Sequence, residues 1–557
     1  MSFTLTKKVV GLVENPQARH HARLWNALAQ LFPVSFRQAT DRAHEGLDAV
    51  VILDGDLAAG LAAARAGMPA YVVLNENKGA ATAEGVEVRL GEYSVLAECL
   101  RGQTMSDRQT EPLPALPVEP GDEVVASRNG HAIWINRPAG KGACQLVAAS
   151  PPELADGEFL FQHLNGGCFL RLLPLVNFLR QLTRDVDWQD APLMACFIFD
   201  DPNLSLPTYG FLNYRQLAEH AIRHNYFVSV ATVPLDTWWV NDLVSEVFKK
   251  SSPRLTLLIH GNNHTSMEML STDSPAGQLA LAAQAMRRMD RVELKHQTSF
   301  LRIMEPPHAV ISYEMFGHLL ALGYEAAFGT SEHLVRHNPH IPWPSTTGLY
   351  RTELLCGGFP VIPRIRMSPN WKNEVLLAAF LRQPILLAGH HAEAKDGLKL
   401  LADFAHLVNS IQNVTWASPL EIVRSNYKYF RQKDTLNVKA YSRKFHFRVP
   451  EGVNNLFLHR PWLQTGMEGE TLLIKNDGRE IFQGVGGYMV GPIAVNSPGI
   501  LEIYSPPTKQ IDHRTVTAPR LRCWPVMRKV FTEMRDRSAP WRHSVAKMFS
   551  FSSKGSP

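Results

Sequence analysis

The sequence predicts a multidomain α/β protein: a doubly wound α/β domain, then a parallel (β/α)7-type barrel, then a small β-sandwich. Three observations predict it. The chain has 557 residues, beyond the size of one ordinary domain. Between residues 186 and 435, apolar strand runs and amphipathic helices alternate about seven times, the rhythm of a (β/α) barrel. After residue 436, short strand patterns are divided by Gly, Pro, Asn and Asp, as in an antiparallel sandwich. The expected division is 1–185, 186–435, 436–515, and a basic amphipathic tail, 516–557.

In the first segment, KKVVGLVEN reads as a strand and Arg19–Leu31 as a helix. DAVVILDG and PAYVVLNEN are continuous apolar runs closed by turn residues, the pattern of buried parallel strands. Leu57–Ala66 between them is Ala-rich and helical. The proline-rich EPLPALPVEPGDE, residues 111–123, predicts a loop. HAIWINRPAGKGACQLVAAS predicts two strands joined at PAGKG, and Glu158–Leu182 a long helix. The segment resembles the class I glutamine-amidotransferase-like or flavodoxin-like α/β domains that precede catalytic domains. It has no nucleophile elbow, and Cys144 in a strand run reads as a buried structural thiol, so the domain is expected to be non-catalytic.

In the second segment, MACFIFDDP, YFVSVATVP, LTLLIHGNNH, FLRIMEPP, EAAFGTS, Leu354–Arg366 and PILLAGHH read as strands. LNYRQLAEHAIRHNY, VNDLVSEVFKK, Pro275–His296, YEMFGHLLALGY and LKLLADFAHLVNSI read as helices. FHFRVP, NLFLHRP, TLLIKND, EIFQGV and GILEIYSP supply the sandwich.

Composition narrows the function. Apolar residues are 45% and charged residues 20%, with a net charge of only +5. No motif set for nucleic acid accompanies that charge. The N-terminus, MSFTLTKKVVGLVENP, lacks the apolar core of a secretory signal, and no apolar stretch reaches a spanning length of ~18–20 residues. Six scattered cysteines without a CxxC pair suit a reducing compartment. The expected location is therefore the cytoplasm. From Arg520 onward nine Lys or Arg stand against two acids. Trp524, Met527, Val530, Phe531 and Met534 fall near one helical face. Such a helix either docks on the protein's own surface or makes peripheral contact with the inner face of a membrane.

Two polar clusters end strands of the barrel segment. Asp200 and Asp201 follow FIF, and adjacent strand residues point to opposite sides, so the two carboxylates can take different roles. His260 and His264 follow LTLLI at a spacing that suits two metal ligands on one face. With one carboxylate they make a three-ligand site with open positions. A third strand, PILLAG, ends in His390 and His391.

These motifs resemble the polysaccharide deacetylase (NodB-homology, carbohydrate esterase family 4) family. FIFDDP resembles its TFDD motif, which implies Asp200 as the base and Asp201 as a metal ligand. HGNNH resembles its HxxxH motif, which implies His260 and His264 as the other ligands of a divalent metal, zinc or alternatively cobalt. The GHH ending resembles the late motif that supplies a catalytic His, here His390 or His391. SVATVP and NVTW…EIVRSNY resemble a bacterial subset of the family. The implied activity is removal of acetyl groups, as amides or esters, from a saccharide substrate.

The third motif differs. Glu305 stands where the family has an Arg that holds the catalytic Asp, and Arg302, Arg364 and Arg366 are the candidates to replace it. No DxxDW-like fourth motif is present. Pro306, Pro307, His308 and Arg364 are expected to line the substrate groove. Trp238, Trp239, Trp343, Trp371 and Trp416 are either sugar platforms or core. Two other readings compete with deacetylation. Glycoside hydrolysis by paired carboxylates does not need the HxxxH motif. A non-catalytic glycan-binding or assembly protein would keep the barrel, with or without the metal, while the flanking domains made partner contacts. Oligomeric state is not legible.

Overall fold

The computed structural model describes residues 5–13, 21–39, 45–53, 55–74, 86–108, 113–251, 253–270, 274–368, 370–464, 468–520 and 523–552. The expected helix start at Arg19, the first residues of the proline-rich loop (Glu111 and Pro112) and the last tail residues, 553–557, lie outside them. The chain forms two units. One comprises residues 1–188, 342–350 and 368–382, the other residues 189–341, 351–367 and 383–557.

The first unit is built on a nine-stranded sheet. Val34–Gln38, Lys8–Val13, Ala49–Ile52, Ala70–Val73 and Gly142–Val147 lie side by side in parallel. Ala49–Ile52 and Ala70–Val73 are buried throughout, as their unbroken apolar runs require. The helix Leu57–Arg65 is capped by Asp56, whose Oδ1 accepts from Ala59 N at 2.9 Å. It packs closely because Gly60 has no Cβ to meet Val72 and Cys144. Cys144 is fully buried, and burial pushes its thiol up to about 12.

Two expectations need correction here. The sheet is doubly wound only in its parallel half. His131–Ala139, Glu123–Arg128, Val86–Leu90 and Thr104–Asp107 extend it in antiparallel fashion, because the tight turn at Gly140–Lys141 folds the chain straight back. The long helix over Glu158–Leu182 is two helices, Leu160–His163 and Leu173–Leu182. Between them Asn165 Oδ1 accepts from the backbone N of Gly167 and Cys168 at 2.9 and 3.1 Å, a local turn that competes with helix.

In the second unit, Leu193–Asp200 is buried at every position. It lies parallel to Val228–Thr232 on one side and Ile385–Gly389 on the other. Beyond Val228–Thr232 come Leu255–His260, Phe300–Glu305, Ala326–Gly329 and Phe359–Pro363, each parallel to its neighbour. The chain then continues through Arg364 into Ile365–Arg366, which pairs with Ile385–Gly389. The pairings thus return on themselves through one strand broken at Arg364. Helices Tyr214–Arg223, Asp242–Lys250, Pro275–His296 and Tyr313–Ala321 start at Asn or Ser caps. The shorter helices Ser331–His337 and Pro419–Arg424 were not legible as helical periods.

The same unit carries two antiparallel-rich sheets, one of five strands and one of four. Alternate residues such as Leu436, Val438, Phe445, Phe447, Leu472, Ile474, Leu501 and Ile503 form their shared core. The five-stranded sheet includes the hairpin Tyr427–Gln432 with Thr435–Ala440 and an edge pair at Gln189–Asp190. The expected boundary at 436 falls inside that hairpin. A final helix, Cys523–Ser552, ends the unit. Among the described residues no helix is long and apolar enough to cross a membrane.

Candidate metal centre

Polar side chains collect at the carboxyl ends of neighbouring parallel strands, where the strand direction leaves loops free to carry chemistry. Asp200 is the last residue of its strand and is buried. Asp201 follows with φ of 81°, a left-handed conformation that an Asp adopts at a cost. That turn carries its carboxylate toward the next strand ends. Asp201 Oδ1 lies 3.5 Å from His260 Nε2 and 3.0 Å from His264 Nε2. One donor atom from each of the three residues falls within 4.8 Å of the others.

The HGNNH loop is fixed from below. Glu268 accepts the backbone N–H groups of Asn262, Asn263 and His264 at 2.7, 3.0 and 2.9 Å. Gly261 is required here, because a Cβ would collide with Glu268 and Pro307. Arg288 Nη1 donates to the side-chain oxygens of Asn262 and Asn263 at 2.6 and 2.8 Å. Neither Glu268 nor Arg288 was identified from sequence. Glu268 opens a three-residue turn, Glu268–Leu270, and Arg288 lies within Pro275–His296, and nothing in their spacing ties them to the loop.

The donor chemistry fits a divalent cation. His260 Nδ1 lies 2.8 Å from the Glu305 carbonyl oxygen. That oxygen can only accept, so Nδ1 carries the proton and Nε2 is left as a ligand atom. Burial alone would discourage charge on Asp201, but hydrogen bonds from His260 and His264 hold its carboxyl well below the usual range. Burial likewise opposes charge on His260, while Asp201, Asp200 and Glu305 raise it to about 9. The cluster as a whole therefore attracts positive charge.

Behind the ligand set, Arg364 Nη1 donates to Asp200 Oδ2 at 2.8 Å and also contacts Glu305. Asp200 Oδ1 is buried without a hydrogen-bond partner. Burial and the neighbouring Asp200 charge raise Glu305, although Arg364 opposes them. Arg364 was expected to line the substrate groove. Its side chain is 12% exposed and is turned onto the two acids at the break in its strand. Arg302 is engaged with Asp290 and Glu293, and Arg366 is exposed. Of the three candidates, Arg364 is the one that contacts Asp200.

The two late histidines separate. His390 Nε2 lies 3.8 Å from Asp201 Oδ2, and its side chain is 53% exposed. His391 is buried, with Nε2 3.6 Å from Asp536 Oδ1. Pro306 and Pro307 are buried at the strand end, and His308 is exposed with its ring 5.1 Å from that of His264. Trp416 packs on Phe197 and Tyr226 as core. Trp343 and Trp371 belong to the first unit. Trp238 is exposed beneath Lys529, whose Nζ stands 4.8 Å from the ring centre.

The final helix lies over these same strand ends. Arg528 Nη1 is 3.2 Å from His264 Nδ1. Tyr209 Oη donates to Asp536 Oδ2 at 2.8 Å. Arg537 donates to Asn203 Oδ1 and Ser205 Oγ at 3.2 and 3.0 Å. Lys529 faces Asp236 at 3.8 Å; burial pushes Asp236 up to about 6 although Lys529 opposes it.

No family model and no curated protein matches the sequence. Distant likeness to solved structures exists. A Mycobacterium smegmatis protein assigned to the polysaccharide deacetylases is 14% identical, covering 43% of this chain and 92% of its own, with a TM-score of 0.31. A family 4 acetyl xylan esterase from Clostridium thermocellum, solved with a cobalt ion, is 12% identical, with coverages of 41% and 89% and a TM-score of 0.26. The Xyl-CE4 domain of a xylanase from the hindgut metagenome of Trinervitermes trinervoides is 9% identical, with coverages of 42% and 90% and a TM-score of 0.25. Likeness at this level assigns no activity.

Proposed function

We propose that the protein is a metal-dependent hydrolase that removes acetyl groups, as amides or esters, from a saccharide, with its site on a deacetylase-like (β/α) barrel. One observation carries the reading. Three donors, on Asp201, His260 and His264, converge within 4.8 Å beside Asp200, a buried carboxylate with one unpartnered oxygen. The resemblance of FIFDDP and HGNNH to the deacetylase motifs supports the same assignment.

A divalent cation held by Asp201, His260 and His264, zinc or cobalt, would lower the pKa of water and polarise the acetyl carbonyl. Asp200 Oδ1 takes the proton of the water whose oxygen bonds to the carbonyl carbon. Arg364 occupies Oδ2 and so directs Oδ1 toward that water. As the C–N or C–O bond breaks, His390 gives a proton to the departing saccharide nitrogen or oxygen, a task suited to imidazole near neutral pH. Acetate leaves. His308, exposed beside His264, offers the rim against which the saccharide lies, while Pro306 and Pro307 are buried beneath it. The binding reading rests on the absence of the third-motif arginine and of a fourth motif; the contact of Arg364 with Asp200 supports the hydrolase reading.

The test is acetate release from a panel of N- and O-acetylated saccharides by the metal-loaded protein and by Asp200→Asn. Loss of a general base costs about 10²–10⁴ in rate, so the variant is expected to fall by that factor with metal still bound. No release by the wild-type protein across the panel, or equal release by the variant, would sink the reading.

A further inference from the structure

The final helix has its polarity reversed. A helix on a protein surface ordinarily buries its apolar stripe and gives its charges to water. In Cys523–Ser552 both acids together with Arg528, Lys529 and Arg537 face inward. Lys529 and Asp536 are only 7% and 3% exposed, and Arg528, Glu533 and Arg537 all have partners on the strand-end loops. The apolar residues face outward: Trp524, Phe531, Met534 and Trp541 are 61, 61, 66 and 70% exposed, and Val526, Met527 and Val530 are about half exposed. Their spacing, at 524, 527, 531, 534 and 541, makes one continuous stripe. An apolar stripe of that length left to water marks a contact surface.

Charge selects the occupant. From residue 520 to the end there are nine Lys or Arg and two acids. Both acids are turned inward, Glu533 to Asn203 and Asp536 to Tyr209 and His391. Arg520, Arg535 and Arg542 are exposed. The outer side therefore combines apolar and aromatic residues with cations, and both carboxylates of the helix are paired on its inner side. Tryptophan and arginine beside a stripe of Met, Val and Phe is the chemistry of a helix lying in the headgroup region of a bilayer. The anionic lipids of such a surface complement the cations.

We propose that the outward face of Cys523–Ser552 docks on an anionic lipid surface, with the helix lying in the interface plane. The inner face stays on the strand ends, so docking places the candidate metal centre directly behind the lipid contact. The proposal does not depend on the hydrolase reading, and its test reads no catalysis.

The full-length protein would be sedimented with vesicles of phosphatidylcholine alone and of phosphatidylcholine mixed with phosphatidylglycerol. Binding is expected to the mixed vesicles, with a blue shift of tryptophan emission. It should weaken as salt rises from about 0.1 M to about 1 M and the screening length falls from about 10 Å to about 3 Å. The double variant Phe531→Asp/Met534→Asp, at exposed positions that touch no site residue, should lose at least about tenfold in binding with its thermal unfolding unchanged. Arg520→Glu/Arg542→Glu provides a second test that leaves the apolar stripe intact, and it should lower binding to the anionic vesicles selectively. Absence of binding to mixed vesicles, or equal binding by both variants, would overturn the proposal. So would a wild-type dimer that Phe531→Asp/Met534→Asp dissociates while vesicles bind neither protein, which would assign the face to a second copy of the chain.

Discussion

Replacing Arg364 by Gln isolates the part of the site that the family pattern does not supply. Arg364 Nη1 is 2.8 Å from Asp200 Oδ2, and the two side chains are only 12% and 5% exposed. With charge centres about 4 Å apart and an effective dielectric near 20, the attraction is about 4 kcal/mol. Without it nothing fixes Oδ2, and Oδ1 loses its aim. Arg364→Gln should therefore lower kcat/KM for acetate release by up to about 10²–10⁴, the range for loss of a general base, while KM changes little. Arg364→Lys should restore part of the rate, because a point charge replaces the fork. The measurement is kcat and KM of the three proteins with metal content held equal. Equal kcat/KM in the wild-type protein and Arg364→Gln would refute the role given to Arg364. So would a loss of rate accompanied by loss of metal.

Three further outcomes follow from the contacts around the site. Arg528 can only donate, so its bond to His264 Nδ1 places the imidazole proton on Nε2, the atom needed for metal; Arg528→Ala should tighten zinc binding about tenfold in a chelator competition, in the range of effects of groups behind metal ligands. Glu268→Ala removes the acceptor for three backbone N–H groups of the HGNNH loop and should weaken metal binding by about 10–100-fold in the same titration. Burial opposes charge on Asp536, but His391, Arg535 and Tyr209 hold its carboxyl at about 2. A depressed carboxyl stabilises the docked helix above its free value and loses that contribution as pH falls from about 4 to about 2. Asp536→Asn should reproduce the loss at neutral pH. It would cost about 1–2 kcal/mol, read as a roughly 5–30-fold faster proteolytic clipping of the final helix.

The legible parts of the site share one signal, an apolar strand run that ends abruptly in polar residues. Asp200, Asp201, His260 and His390 were all found that way. Arg364 has the same signal in FPVIPR, but its strand is broken at that residue and its partner Asp200 lies far earlier in the chain, so sequence could not choose it over Arg302 or Arg366. Aromatic residues carried no positional information: Trp416 is core, and Trp343 and Trp371 lie in the first unit. The paired glycines Gly166 and Gly167 with Asn165 were the overlooked stop inside the expected long helix. The amphipathic pattern of the final helix was visible. Its orientation was not, because that is set by ion pairs with Asp236 and His391 and a hydrogen bond from Tyr209, all on distant loops.

The central claim is that Asp201, His260 and His264 hold one divalent cation. Anomalous diffraction from crystals of the protein loaded with zinc or cobalt tests it most directly. The account predicts one fully occupied peak at about 2.0–2.2 Å from an Asp201 oxygen and from Nε2 of both histidines, absent in His264→Ala. A protein that binds no stoichiometric cation, or one whose peak lies away from these three side chains, would contradict it.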